Sequence, residues 1–476
     1  MLHRPFACLI LCFLIFAGAC GTDTIKSSDV TEDGSDEDAT IDTGSETESP
    51  SDAPAESDTG NDVVFTVESR LASDISKDAP TTVGIVTWAA TLDNITAARI
   101  EFGLDGHFDE VAPVDLLVDL NGKTDNQYRT LLLGMKASHT YDFRIVVETS
   151  KTIISPVYQI KTDSLPDDIL EIPAFDVRND ARREAGFILF SFWSGKNSIY
   201  IVDPDGDIVW WYTDSDFNGI CRARMSATGR YMWFVEPTNY GGQIGYVTMD
   251  TLTRASFDIG ASHDLTPVTD ETIAYLDYSP EGCNEIRTID PLGKTALAAT
   301  PGTFIDAVCH LNALRYSPVD DWYTVSNHTS DIYFIDRQSG QLQETLSEMT
   351  GLPNSAWGGE THGHQLTENS LVFFANRGTN RQSEVLEYTR NDGDQIFSYV
   401  SRDGFEAAQT GDVQRLPSGN TLVAYSNDTS VIQEVTPKGE VVLQIDLRVT
   451  EGCVSIPSTL GCSLGYVWWR KTLYGP

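Results

Sequence analysis

Short apolar runs separated by turn residues dominate the second half of the chain, and they come in pairs. An apolar strand, an Asp or Thr, a turn usually carrying Gly and a second apolar strand recur as IYIVDPDGDIVWWY, GYVTMDTLTRASFDI, EIRTIDPLGKTALAA, IYFIDRQSGQLQETL, EVLEYTRNDGDQIFSYV and VIQEVTPKGEVVLQI. The equivalent positions Asp203, Asp250, Asp290, Asp336, Thr389 and Thr436 lie 47, 40, 46, 53 and 47 residues apart. That period, with about four short strands per unit, is the mark of a β-propeller blade, so six units predict six blades over residues 177–476. From the second repeat on, each hairpin follows another strand unit: CRARMSATGRYMWFVE, HDLTPVTDETIAYLD, HLNALRYSPVDDWYTVS, HGHQLTENSLVFFAN and DVQRLPSGNTLVAYSN. The first strand of a blade lines the central channel, so aligned positions form a ring. Three of these five units begin with histidine, at His263, His310 and His362, in a chain with eight histidines. The pattern predicts three or four imidazoles aimed at one axial site. His362 and His364 are two residues apart, and in a regular strand both face the same way.

Residues 63–163 show a different rhythm, with the alternating runs VVFTV, TTVGIVTW, AARIEFG, YRTLLLG, TYDFRIVVE and VYQIKT broken by turns. They predict a small β-sandwich, and LLLGMKASHTYDFRIVVE resembles the corresponding stretch of fibronectin type III-like domains. His107 and His139 read as polar residues at strand ends. A connector with Pro166 and Pro173 leads to the propeller, and the fold class is all-β: a fibronectin type III-like sandwich followed by a six-bladed propeller.

Charge and the N-terminus add the cellular setting. The net charge of −38 argues against nucleic acid or an anionic membrane surface as partner. Much of it is local, because residues 21–62 hold fourteen Asp and Glu against one Lys. That segment lacks the apolar residues to repay its ordering entropy and reads as a flexible tether. Residues 1–19 have the basic start, apolar core and small-residue end of a signal peptide. Ala17-Gly18-Ala19-Cys20 resembles a bacterial lipobox with Ala17 in place of leucine, which implies lipidation at Cys20 and an exported protein anchored at the cell envelope, on the outer membrane or cell surface. Among the remaining cysteines, Cys453 and Cys462 sit close together in a Gly/Ser/Pro-rich segment and are the first candidates for a disulfide. One of Cys221, Cys283 and Cys309 is then left over.

The propeller repeats resemble those of bacterial PAPS-independent arylsulfotransferases. SHDLTPVTDETI is similar to their HHD strand, CHLNALRYSPVDDWYTVSNHTSDIYFIDRQSG to their blade with HxN and SRH, THGHQLTENSLVFFAN to their QH…FDN blade, and VQRLPSGNTLVAYSN…IQEVTPKGEVV to their LPNGNTLV…EVTPDGEVVW blade. The resemblance implies a sulfotransferase that needs no cofactor. A histidine attacks the sulfur of an aryl sulfate, releases a phenol and passes the sulfuryl group to a second phenol. It makes His362 the nucleophile, with His364 as the alternative, and gives His263 and His310 the roles of holding sulfate oxygens or protonating the leaving phenol. Asn312, Asn327, His328 and His364 complete the substrate-binding set. Where the family has arginine before the blade-four histidine, this chain has Asn327, which removes a fixed cation from the sulfate clamp. Restoring it as Asn327→Arg is expected to raise phenol release. Arg222, Arg224, Arg377 and Arg381 are candidates to replace the charge, although each by itself reads as an exposed loop arginine. Two other readings stand beside this one: a propeller that binds a ligand or protein without catalysis, and a Zn²⁺ or Cu²⁺ site built from His263, His310, His362 and His364.

Overall fold

The computed structural model describes residues 63–116, 127–169, 175–194, 197–236, 241–269, 271–278, 284–305, 310–328, 331–358, 360–376, 382–407, 409–426, 429–449 and 463–475. Residues 1–62, with the expected signal peptide, Cys20 and acidic tether, and Arg377, Arg381, Cys283, Cys309, Cys453 and Cys462 lie outside the described residues. Cys221 is a free, buried thiol.

Alternation in the first hundred described residues builds two facing antiparallel sheets. One holds Phe65–Leu71, Gly84–Ala90 and Tyr128–Leu132; the other holds Glu110–Pro113, Ala97–Gly103 and Thr140–Glu148, with Thr152–Ile154 and Tyr158–Lys161 on the far side of the last strand. Trp88, Ile100, Phe102, Phe143 and Ile145 fill the space between them. The Tyr141 hydroxyl accepts the Lys136 N–H at 2.8 Å and pins the corner that enters the Thr140–Glu148 strand. This is the fibronectin type III-like sandwich, and His107 and His139 are exposed beside its strands.

The sandwich is welded to the propeller. Val83, Ile85 and Leu133 share one apolar core with Ile199, Trp210 and Met225, and the Tyr474 hydroxyl accepts the Leu133 N–H at 2.6 Å. The Lys136 ammonium lies among Asp203, Asp205 and Asp207 at 3.2, 2.6 and 2.7 Å.

Six blades follow. Blade 1 contains Phe187–Ser194, Ser198–Val202 and Ile208–Thr213, but its innermost strand is Ser463–Arg470 from the end of the chain. Blade 2 runs Arg222–Met225, Tyr231–Val235 and Gly242–Thr248. Its outer strand is the first part of Arg254–Thr269, which continues without interruption as the inner strand of blade 3, before Thr272–Asp277, Glu285–Ile289 and Thr295–Ala299. Blades 4, 5 and 6 begin with Leu311–Ser317, Thr361–Leu366 and Asp412–Arg415, and Val177–Arg178 adds a fifth strand to the outer edge of blade 6. The six inner strands touch one another in sequence around the ring.

The repeated Asp or Thr has a local cause: it caps the hairpin turn. Asp203 Oδ1 accepts the N–H groups of Asp205 and Asp207, and Asp290 Oδ1 those of Leu292 and Lys294. The hydroxyls of Thr389 and Thr436 do the same for Asp394 and Glu440.

Candidate functional site

The inner strands of blades 3, 4 and 5 share an irregularity near their starts. Pairing shifts between Ser262 and Leu265, between Leu311 and Ala313, and between Thr361 and His364. An extra residue in one strand of a pair re-aims the side chains around it. In blade 3 the irregularity puts His263 at φ +52°, in the left-handed region that a residue with a Cβ seldom occupies.

These irregularities bring four imidazoles together. His263 Nε2 and His310 Nε2 are 3.2 Å apart, with ring centres 4.9 Å apart and nearly perpendicular. The His310 and His328 rings are 5.3 Å apart, and those of His328 and His362 are 6.4 Å apart. His263, His310 and His328 are half-buried, whereas His362 is buried. The His263 and His310 nitrogens hold one proton between them, and Ser262 Oγ meets His263 Nδ1 at 2.5 Å. Burial, then the neighbouring His310 and His362, pulls the His263 pKa down to about 3. Burial and His328 lower that of His310 as well, so His263 and His310 are neutral at physiological pH.

His362 is held in one tautomer. Asn376 donates through Nδ2 to the carbonyls of Ala407 and Thr410 at 2.8 and 2.6 Å, which turns its Oδ1 toward His362 Nδ1 at 2.5 Å. The Nδ1 atom therefore carries the proton, and Nε2 keeps its lone pair. Burial lowers the His362 pKa to about 4, with the Asn376 hydrogen bond opposing part of that shift.

His364 does not look the same way as His362, and the pairing shift between Thr361 and His364 is the reason. Its side chain is fully buried. Nδ1 donates to the His362 carbonyl at 3.2 Å and Nε2 meets Thr324 Oγ1 at 2.9 Å. Both nitrogens are engaged in holding strands together. Gly363 between the two histidines is required because a Cβ there would lie 2.1 Å from Asp412 Oδ1.

That carboxylate belongs to a buried ionic network below the imidazoles. Arg222, fully buried, reaches Asp264 at 2.6 and 3.0 Å and Asp412 at 2.5 Å, and lies 3.4 Å over the Tyr466 ring. Arg315 joins the same two aspartates at 2.6 Å each. Burial alone would raise both carboxyl pKa values, but the surrounding arginines outweigh it and hold them low. Arg222 and Arg224 are thus not the exposed loop arginines that the sequence suggests. They sit on an inner strand and are buried in the channel.

Asn312 and Asn327 are also buried. Asn312 Nδ2 donates to the Thr361 carbonyl at 3.2 Å, tying blade 4 to blade 5. Asn327 Oδ1 accepts the His310 N–H at 2.6 Å and sets that histidine's backbone. Arginine at 327 would lose this acceptor and bring its charge into a closed space, so Asn327→Arg is expected to impair the site, contrary to the expectation from sequence. Sequence reasoning missed Asn376, Asp264, Asp412 and Arg315. A signal for Asn376 was present: the second strands of blades 4 and 5 end in TVSN and FFAN, which places Asn327 and Asn376 at equivalent positions. As for a metal, among the described residues only Asp203, Asp205 and Asp207 bring three ligand atoms within 4.8 Å of one another. The histidines form no such compact cage, and the Lys136 ammonium already lies among those aspartates.

The sequence matches no family model and no curated protein. Solved structures similar in fold include a protein of unknown function from Bacteroides caccae, at 13% identity, TM-score 0.40 and coverage of 55% of this chain and 94% of that one. Dihydro-heme d1 dehydrogenase NirN matches at 14% identity and TM-score 0.34, over 57% of this chain and 58% of that one. The C-terminal WD40 domain of Sif2 matches at 9% identity and TM-score 0.36, over 74% and 85%.

Proposed function

We propose that the protein transfers a sulfuryl group from an aryl sulfate to a phenol through a covalent intermediate on His362. The observation that carries this reading is the buried, neutral His362, whose Nδ1–H is held by Asn376 so that Nε2 presents a lone pair beside three further imidazoles. In the first half-reaction Nε2 attacks sulfur, the N–S bond forms, the S–O bond to the ring breaks, and its electron pair leaves with the phenolate. Positive charge grows on His362 as this happens, and the Nδ1–H···Oδ1 hydrogen bond strengthens to meet it. On substrate entry the contact between His263 and His310 gives way, and these two imidazoles and His328 turn N–H donors to the sulfuryl oxygens. In the second half an acceptor phenol loses its proton to solvent water, its oxygen attacks sulfur, and the N–S pair returns to Nε2. The released phenolate takes up the equivalent proton, so no net acid is consumed.

The same reading places the chain outside the cytosol, anchored by lipid at Cys20. Its test is mass spectrometry of protein quenched with 4-nitrophenyl sulfate. One sulfuryl group on the peptide containing His362 and His364 is expected in the wild type and in His364→Gln, none in His362→Ala, and loss of the label on adding phenol. An adduct that survives His362→Ala, or none in folded wild type, would sink the proposal. A binding propeller without catalysis is the second reading, favoured by the burial of Asn327, which leaves the position of the family's arginine without a cation.

A further inference from the structure

The inner strands all run the same way along the channel, so the histidines mark the end where they start. At the end where they finish lies a cavity of about 500 Å³ whose lining includes Arg224, Arg315, Arg470 and Lys471. Among the described residues lining it there is no Asp or Glu, in a chain of net charge −38. The Arg222–Asp264–Asp412–Arg315 network and Tyr466 fill the channel between the two ends.

Two of these cations are buried without adequate partners. Arg224 is 4% exposed. Among the described residues its guanidinium makes only long hydrogen bonds, at 3.5 Å to the Ala223 carbonyl, 3.4 Å to the Val467 carbonyl and 3.5 Å to an Asp412 oxygen that Arg222 already holds at 2.5 Å. Arg470, 9% exposed, donates to the Thr472 carbonyl at 3.1 Å and has no carboxylate partner among the described residues. Both guanidiniums lie within 5 Å of the Trp468 ring centre, at 4.9 and 4.8 Å. Burial, with Arg222 and Arg315 nearby, pushes the Arg224 pKa well down, and burial takes Arg470 to about 10. A buried cation without a counter-charge is costly, and an anion entering the cavity would remove that cost.

We propose that this second end of the channel is a binding site for a small organic anion, a sulfonate or carboxylate on an apolar body. Arg224 and Arg470 take the charged head, while Val268, Leu366 and Trp468 take the apolar part. The ligand is larger than a bare inorganic ion because the cavity has room for a drug-sized fragment and mixes cationic with apolar walls. This site is separate from the histidines and does not depend on sulfuryl transfer.

The probe is 4-fluorobenzenesulfonate, whose C–S bond prevents it from donating a sulfuryl group, followed by ¹⁹F NMR and calorimetry on the full chain. Saturable binding is expected, weakened by salt, unchanged in His362→Ala, and at least about tenfold weaker in Arg470→Met and Arg224→Met. The neutral 4-fluorobenzyl alcohol is expected to bind at least about tenfold more weakly. Should Arg224→Met fail to fold, Arg470→Met and Lys471→Met decide the matter. No binding at millimolar probe, equal affinity in a folded Arg470→Met, equal affinity of the alcohol, or loss of binding in His362→Ala would each overturn the assignment.

Discussion

Lowering the pH across the range where an ordinary histidine titrates should leave the proposed nucleophile untouched. His362 has its pKa drawn down to about 4, first by burial, against roughly 6.5 for a histidine in water. At pH 5 about nine-tenths of a group with that pKa is still neutral, whereas an ordinary imidazole would be about 3% neutral, a difference of roughly thirtyfold in available nucleophile. Single-turnover phenol release should therefore stay flat from pH 7.5 to 5 and fall with a midpoint near 4. The shift also costs stability in acid. Because the unfolded chain takes the proton first, stability from this group is complete above pH 6.5 and is lost as pH falls toward 4, by about 3 kcal/mol in all. His263 and His364, lowered to about 3 and about 4 chiefly by burial, act in the same direction. Rates should be paired with circular dichroism at each pH, and with ¹⁵N-histidine NMR to read the tautomer. A midpoint near 6.5 in folded protein, or an Nε2–H signal for His362, would refute the reasoning.

Removing the amide that orients His362 is the next perturbation: Asn376→Ala leaves the Ala407 and Thr410 carbonyls without this donor and should cost about 1–3 kcal/mol of stability. It should also lower phenol release while releasing the tautomer, which the same NMR experiment detects. Gly363→Ala forces a methyl group against Asp412 and should destabilise by about 1–3 kcal/mol in thermal unfolding. Asp412→Asn removes one charge of a buried network and should cost about 3–5 kcal/mol in urea unfolding, more than the loss of an exposed ion pair such as Arg182 with Glu440.

The six-fold period was legible because each turn needs the same side-chain oxygen to cap it, so Asp203 and its counterparts recur whatever the surrounding apolar residues are. The alignment of His263, His310 and His362 was legible because those repeats fix the register of the strand units that precede each hairpin. The closing strand Ser463–Arg470 was not, since its blade partners lie at the other end of the propeller and periodicity reports only neighbours. The separation of His362 from His364 was also hidden: strict alternation puts both on one face, and only the pairing shift beside Gly363 parts them. The ionic network lay out of reach because Arg222, Asp264, Arg315 and Asp412 come from four different blades, and spacing along the chain carries no trace of their meeting.

The closing strand also sets an order of events. Residues near 187 and 470 must find each other across most of the chain, and the length-dependent part of that loop closure is about 5 kcal/mol. Tyr466, which covers Arg222 at 3.4 Å, arrives only with this strand. A growing or truncated chain therefore has every histidine in hand while the guanidinium beneath them still faces water. Closure of the ring waits on strand Ser463–Arg470, and once that seam is shut, opening it must expose Arg222 and two carboxylates together. The ring is thus held shut where strands Phe187–Ser194 and Ser463–Arg470 meet, far along the sequence from the imidazoles.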